Sequence, residues 1–188
     1  MMRQFALAAV LCLALAPPAS AQMAGFPAVT DASRTEANGE RIISLSAVVP
    51  VPPAEVWEVL TTPEGWVAHL GVARAAIDLR IDGVIETSYD AAVALGSPGT
   101  IKNQIVAYVP GRLLAIRNIQ APDGFTHAEE FGRTVTVITL TPVDGGTRID
   151  LQGVGFVPGA AFDALYGQFH AGDAWTLQQL HDGLTSRP

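Results

Sequence analysis

The chain has 188 residues, with 18 acidic against 11 basic side chains and a formal net charge of −7, so it lacks the basic surface that nucleic acid or an anionic membrane asks of a partner. Its one lysine is Lys102 and its one cysteine is Cys12. The length suits a single domain of about 100–200 residues with a core of useful size.

Residues 1–21 read as a secretory signal peptide. Arg3 precedes an unbroken apolar run over residues 5–16, too short to span a bilayer, and Ala19-Ser20-Ala21 has the A-x-A form of a cleavage site. The expected mature chain begins at Gln22, is periplasmic or secreted, and carries one more unit of negative charge once Arg3 is removed. It holds no cysteine, which excludes disulfides and thiol catalysis together. No later apolar run is long enough to cross a membrane, so no membrane insertion is expected after cleavage.

Residues 22–40 mix Gly, Pro, Ala, Ser and Asp without periodicity and are expected to form a flexible leader. The domain is placed at 41–188. Ile43, Leu45, Ala47 and Val49 alternate with Ile42, Ser44, Ser46 and Val48, which predicts a half-buried strand ending at Pro50. Pro52-Pro53 opens a short helix with Val56, Trp57, Val59 and Leu60 on its apolar face. Thr61-Thr62-Pro63-Glu64 starts a second, capped either by Thr61 paired with Glu64 or by Thr62 with Pro63 at the first helical position.

Alternation over residues 75–81 predicts a strand that Asp82-Gly83 turns into another over 84–89. Residues 91–99 form a loop or lip, and Pro110-Gly111 marks a hairpin between strands at 100–109 and 112–120. Residues 134–141 are largely β-branched, and Asp144-Gly145-Gly146 turns them into a strand at 147–153. Ile149 and Leu151 oppose Arg148, Asp150 and Gln152 there, so one sheet face is wet and the sheet is covered on one side only. The Gly-rich stretch 153–159 reads as a hinge, since Pro158 takes the place of the last glycine of a dinucleotide loop and no βαβ repeat surrounds it.

The cover is the last helix. Phe162, Leu165, Tyr166, Phe169, Thr176, Leu177, Leu180 and Leu184 recur at three- and four-residue spacing. The expected class is α+β: a helix-grip fold in which a curved antiparallel sheet of about seven strands wraps the long C-terminal helix, with two short helices after the first strand. That architecture makes a container.

The residues that carry this order also resemble a known group. Val49-Pro50-Val51-Pro52-Pro53-Ala54-Glu55-Val56-Trp57, Thr61-Thr62-Pro63-Glu64-Gly65-Trp66, Val109-Pro110-Gly111-Arg112-Leu113, Gly146-Thr147-Arg148-Ile149 and the late Trp175 with Leu177 and Leu180 are similar to the START/Bet v 1-like (SRPBCC) superfamily. Within it they are similar to domains like the C-terminal domain of the Hsp90 ATPase activator. The resemblance spans residues 41–184 and implies a cavity between sheet and helix. It also implies ligands such as lipids, hormones and polyketides, with cyclisation or hydrolysis in some members. The chain departs from the group by placing Asp173-Ala174 between Gly172 and Trp175. An exported protein would meet neither Hsp90 nor ATP.

Candidate chemistry centres on Asp173, which falls in the middle of the apolar arc of the last helix. A carboxyl facing the interior has its pKa raised by desolvation, as a general acid or base needs. His170 lies at the edge of the same face and is the candidate partner. Against this stands a structural role, in which Gly172 bends the helix or Asp173 caps a break and pairs with a sheet arginine. Gly167 and Gly172 each cost about 1 kcal/mol relative to Ala, which suggests close backbone approach or a bend.

Trp57, Trp66, His69, Asn118, Phe162, Tyr166, Phe169 and Leu177 are the candidate ligand contacts. His69 is also a candidate helix cap, and either Asn118 or Arg117 faces the concave side, as a neutral or an anion anchor respectively. His127-Ala128-Glu129-Glu130 lacks further ligands at a readable spacing, so no metal site is assigned, and no cofactor motif is read. H-E-x-x-H, G-x-S-x-G and the P-loop are absent. The expected partner is a small apolar molecule, with nothing in the sequence setting the oligomeric state. Three functions stay open: a binding protein, a cyclase- or hydratase-like enzyme using Asp173 and His170, or a cell-envelope interaction module.

Overall fold

The computed structural model describes residues 21–186, so the proposed signal peptide lies almost wholly outside the described residues. Three strands come first, β1 (Ala21–Met23), β2 (Phe26–Asp31) and β3 (Arg34–Thr35), followed by β4 (Arg41–Val49). Next are helices α1 (Pro53–Thr61) and α2 (Pro63–His69). Strands β5 (Arg74–Ile77), β6 (Val84–Ser88), β7 (Ile101–Val109) and β8 (Leu113–Gln120) lead to a single turn, α3 (Ala128–Phe131). Strands β9 (Val135–Val143) and β10 (Gly146–Phe156) then precede the closing helix α4 (Ala160–Thr185).

All strands join one antiparallel sheet in the order β1-β2-β4-β10-β9-β8-β7-β6-β5, with β3 also on β4. From β4 onward there are the seven strands the periodicity predicts. Where a flexible leader is expected, β1, β2 and β3 lie on the sheet. Thr30 and Asp31 stand in register with Ser46 and Leu45, Val29 is fully buried, and the Ala28 amide donates to Gln178 Oε1 of α4 at 2.9 Å. A half-buried β4 edge with unpaired backbone groups supplies partners that composition cannot reveal.

Local chemistry explains the remaining boundaries. Thr62 caps α2 by accepting from the Gly65 amide at 3.2 Å, with Pro63 in the first turn. The strand expected to reach residue 81 stops at Ile77, and Asp82 sits at φ 61 in a broader turn whose amide donates to the Ile105 carbonyl. The expected hinge is mostly strand: β10 runs through Phe156, with a register shift between Gly153 and Phe156 that turns the Phe156 ring fully inward.

Inward residues alternate along the sheet as Ile43, Leu45, Ala47 and Val49 in β4, Ile149 and Leu151 in β10, and Ile138 and Leu140 in β9. Helix α4 meets them with Phe162, Leu165, Ala174, Leu177, Leu180 and Leu184, all buried. Between Leu165 and Ala174 the stripe is only half-buried, and a void lies beneath it. Gly167 and Gly172 have no atom within 4 Å of a Cβ built on them, so neither marks a close approach. Close approaches to this helix are at Gly71, where the Trp175 ring lies against the backbone at φ 69 and leaves no room for a side chain, and at Gly183, which faces the His69 ring. Among the described residues no helix is long and apolar enough to cross a membrane.

Candidate functional site

The void is a cavity of about 410 Å³ between the concave sheet face and α4. Its floor is Ile101 and Asn103 of β7, Ile116 and Asn118 of β8, Thr136 and Ile138 of β9, and Ile149 and Leu151 of β10. The roof is the α4 face from Gln168 to Leu180, and Leu60, Trp66 and Leu70 close one end. Phe125 and Phe131 form part of the wall, with Tyr89 and Trp175 more exposed. A chamber of this size, largely hydrocarbon and aromatic with a few polar groups, fits a small apolar ligand.

Asp173 lies in the roof. The residue is half-buried because it faces the void, yet its carboxyl Oδ2 is shut off from solvent and receives no protein hydrogen bond. Burial pushes the carboxyl up to about 7. Tyr89 responds in turn: its phenol is raised above the ordinary value, by desolvation first and by the Asp173 charge second.

The opposite wall carries amides. Asn103 and Asn118 are cross-strand partners, both buried, beside a register shift at Lys102 and Asn103. Asn118 Nδ2 donates to Thr134 Oγ1 at 2.6 Å, and that hydroxyl donates to the Phe131 carbonyl at 2.9 Å, so the Asn118 orientation is set by the loop that brings in α3. Asn103 Oδ1 is buried and receives no protein hydrogen bond. Arg117 is exposed and Asn118 is buried, so of the two it is Asn118 that faces the concave side.

Of the expected contacts, Trp66, Asn118, Phe169 and Leu177 line the cavity together with Asp173. The Trp66 ring is held by donation from Nε1 to the Leu60 carbonyl at 2.8 Å. The other expectations need correction. His170 is not beside Asp173: its Nε2 lies 2.9 Å from Asp31 Oδ2, in the leader strand β2, and its ring stacks on Tyr166. The Asp31 carboxyl is held below its ordinary value, since burial, which raises it, is outweighed by hydrogen bonds from Ser33 and His170. Three residues on a helix turn through about 300°, about 60° short of a full turn, so His170 sits at the edge of the Asp173 face, and at that edge β2 is within its reach.

Tyr166 belongs to the same outer cluster, under the Arg41 guanidinium at 4.1 Å and edge-on to Phe156. Phe162 is buried against Arg133, with the guanidinium 5.1 Å from its ring centre. The N-terminal turns of α4 therefore anchor the helix, with Arg41 bridging to Asp163 at 2.7 Å, and do not line the chamber. Trp57 stacks with Tyr108 at 6.3 Å away from the cavity. His69 ends α2 with its ring against Gly183 of α4, also outside the chamber. His127-Ala128-Glu129-Glu130 enters α3, and among the described residues no group of three or more such side chains is placed to hold a metal ion.

Sequence reasoning missed Asn103 and Thr136. A signal for Asn103 existed: it shares strand parity with Ile101 and Ile105, so a polar side chain stood on an inward face.

The fold recurs in solved structures. A protein called MLL2253 from Mesorhizobium loti superposes with a TM-score of 0.60 at 21% identity, covering 77% of this chain and 96% of its own. The Aha1 dimer of Colwellia psychrerythraea gives 0.58 at 15% identity, covering 77% and 96%. CalU16 of Micromonospora echinospora gives 0.57 at 19% identity, covering 85% and 87%. No curated protein sequence matched the chain. A family model described as polyketide cyclase / dehydrase and lipid transport matches residues 40–177, the span from β4 to the part of α4 that roofs the cavity. By that match and the helix-grip fold, the chain belongs to the polyketide cyclase / dehydrase and lipid transport family within the START/Bet v 1-like superfamily.

Proposed function

We propose that the mature protein works outside the cytoplasm as a carrier that shields one small, largely apolar molecule in the cavity beneath α4. The observation that carries this reading is the chamber itself: about 410 Å³, walled by aliphatic and aromatic side chains, with isolated polar anchors at Asp173, Asn103 and Asn118. Export rests on the apolar run at 5–16 and the Ala19-Ser20-Ala21 site. Native mass spectrometry of protein recovered from the periplasm or medium tests both halves. The expected result is a chain beginning at Gln22 with a retained ligand mass that leaves unaltered on denaturation. An intact Met1 on cytosolic protein refutes export, and a chain that never retains or captures an apolar molecule refutes the carrier.

One observation favours a second reading. A carboxyl poised at about 7 is half-ionised near neutrality and suits a proton-transfer catalyst of the cyclase or dehydrase kind. In that reading Asp173 acts without His170, whose ring is engaged by Asp31. Loss of water from a captured molecule, dependent on Asp173, would select catalysis over carriage.

A further inference from the structure

The cavity has one sign of charge. Among its lining residues there is no arginine, lysine or histidine, and its single ionisable carboxyl is Asp173. Two buried oxygens, Asp173 Oδ2 and Asn103 Oδ1, receive no hydrogen bond from the protein. Both call for donors on whatever fills the chamber. A ligand anion finds no cation here and meets like charge, a neutral ligand suits the protonated acid alone, and a cation is the one partner that pairs the ionised carboxylate. Rings of Trp66, Tyr89, Phe169 and Trp175 bound the same space, and aromatic rings are the side chains that attract a cation through their π systems. The chain's formal charge of −7 also favours approach of a cation.

We propose that the ligand is an apolar amine, whose ammonium group pairs with Asp173 while its hydrocarbon body fills the chamber toward the sheet. This rests on the carrier reading above and adds the chemical class of the cargo. A carboxyl at about 7 then makes capture sensitive to pH, because the amine binds the ionised form. The groups that face Asp173 are Tyr89, across the cavity, and no basic side chain of the lining; His170, on its own helix, is turned to Asp31.

The test uses the purified mature chain with Nile red, a neutral apolar dye, displaced by naphthylethylamine, naphthylethanol and naphthylacetate. At about pH 8 the amine is expected to bind at least about tenfold more tightly than the alcohol and about a hundredfold more tightly than the acid. Below about pH 7 its affinity should fall by about tenfold per unit, while that of the alcohol stays flat. Asp173→Asn, shown to be folded by circular dichroism and titrated directly with amine and alcohol, should lose the preference for the amine over the alcohol, and Asp173→Ser serves the same end if the first variant folds poorly. Dye binding with no amine preference, or a preference that survives both substitutions, overturns the amine assignment and leaves the carrier standing. Absence of dye binding by the folded protein overturns the carrier reading and the assignment with it.

Discussion

Replacing Asp173 with Asn keeps the shape of the side chain and removes its ionisation. In the folded protein the carboxyl stands at about 7, against an ordinary value of 3.8, and burial is the cause. An acid whose pKa is higher when folded gives its proton up first in the unfolded chain, so folding is favoured most below the unfolded pKa. That contribution declines as pH climbs from about 4 to about 7 and is gone above it. At 1.36 kcal/mol per unit, a separation of about three units makes the ionised group cost about 4 kcal/mol at alkaline pH. Asp173→Asn is therefore expected to match the parent at about pH 4 and to exceed it by up to about 4 kcal/mol at about pH 8, as the two pKa values require. Urea unfolding of both proteins, followed by circular dichroism at closely spaced pH values, reads the difference directly, since every other titrating group cancels. A difference that stays constant from about pH 4 to about pH 8 would refute the reasoning and return Asp173 to the ranks of solvated carboxylates.

Two positions in α4 separate packing from cavity. Leu165→Ala, at a fully buried site away from the chamber, should cost about 2–5 kcal/mol in urea unfolding and leave Nile red affinity unchanged. Phe169→Ala, in the half-buried cavity wall, should cost less than the about 3–5 kcal/mol of a fully packed Phe while altering dye affinity. Gly167→Ala should stabilise the protein by about 0.5–1 kcal/mol, because the helix is continuous there and a Cβ meets nothing within 4 Å. Asp31→Asn should weaken the dock of β2 onto α4 at neutral pH, and the deficit should vanish as acid protonates the parent carboxyl, whose folded pKa is depressed; amide exchange in β2 checks it.

Much of the fold is legible along the chain because its signals are local. Period-two alternation in β4 and β10, the Thr62-Pro63 cap and the three- and four-residue stripe of α4 each depend on neighbours a few positions away. Asp173 is legible for the same reason: a helical wheel suffices to place a carboxylate on an apolar arc. Asn103 was readable in principle, since strand parity alone turns it inward.

The corrections share a different origin. His170 sits three residues from Asp173 but pairs with Asp31, 139 positions away in a segment whose composition reads as linker. That segment orders because β4 offers an open edge and α4 offers Gln178, neither of which a window over residues 22–40 contains. Tyr166 and Phe162 lie on the predicted stripe, yet the helix closes flush against β4 and β10 at that end and stands over a void farther along. The sequence by itself determined which side chains point inward, because that follows from backbone periods of two and 3.6 residues. Only the tertiary structure decided which inward side chains meet a neighbour and which meet a cavity, because that depends on the distance between surfaces that the chain brings together from far apart.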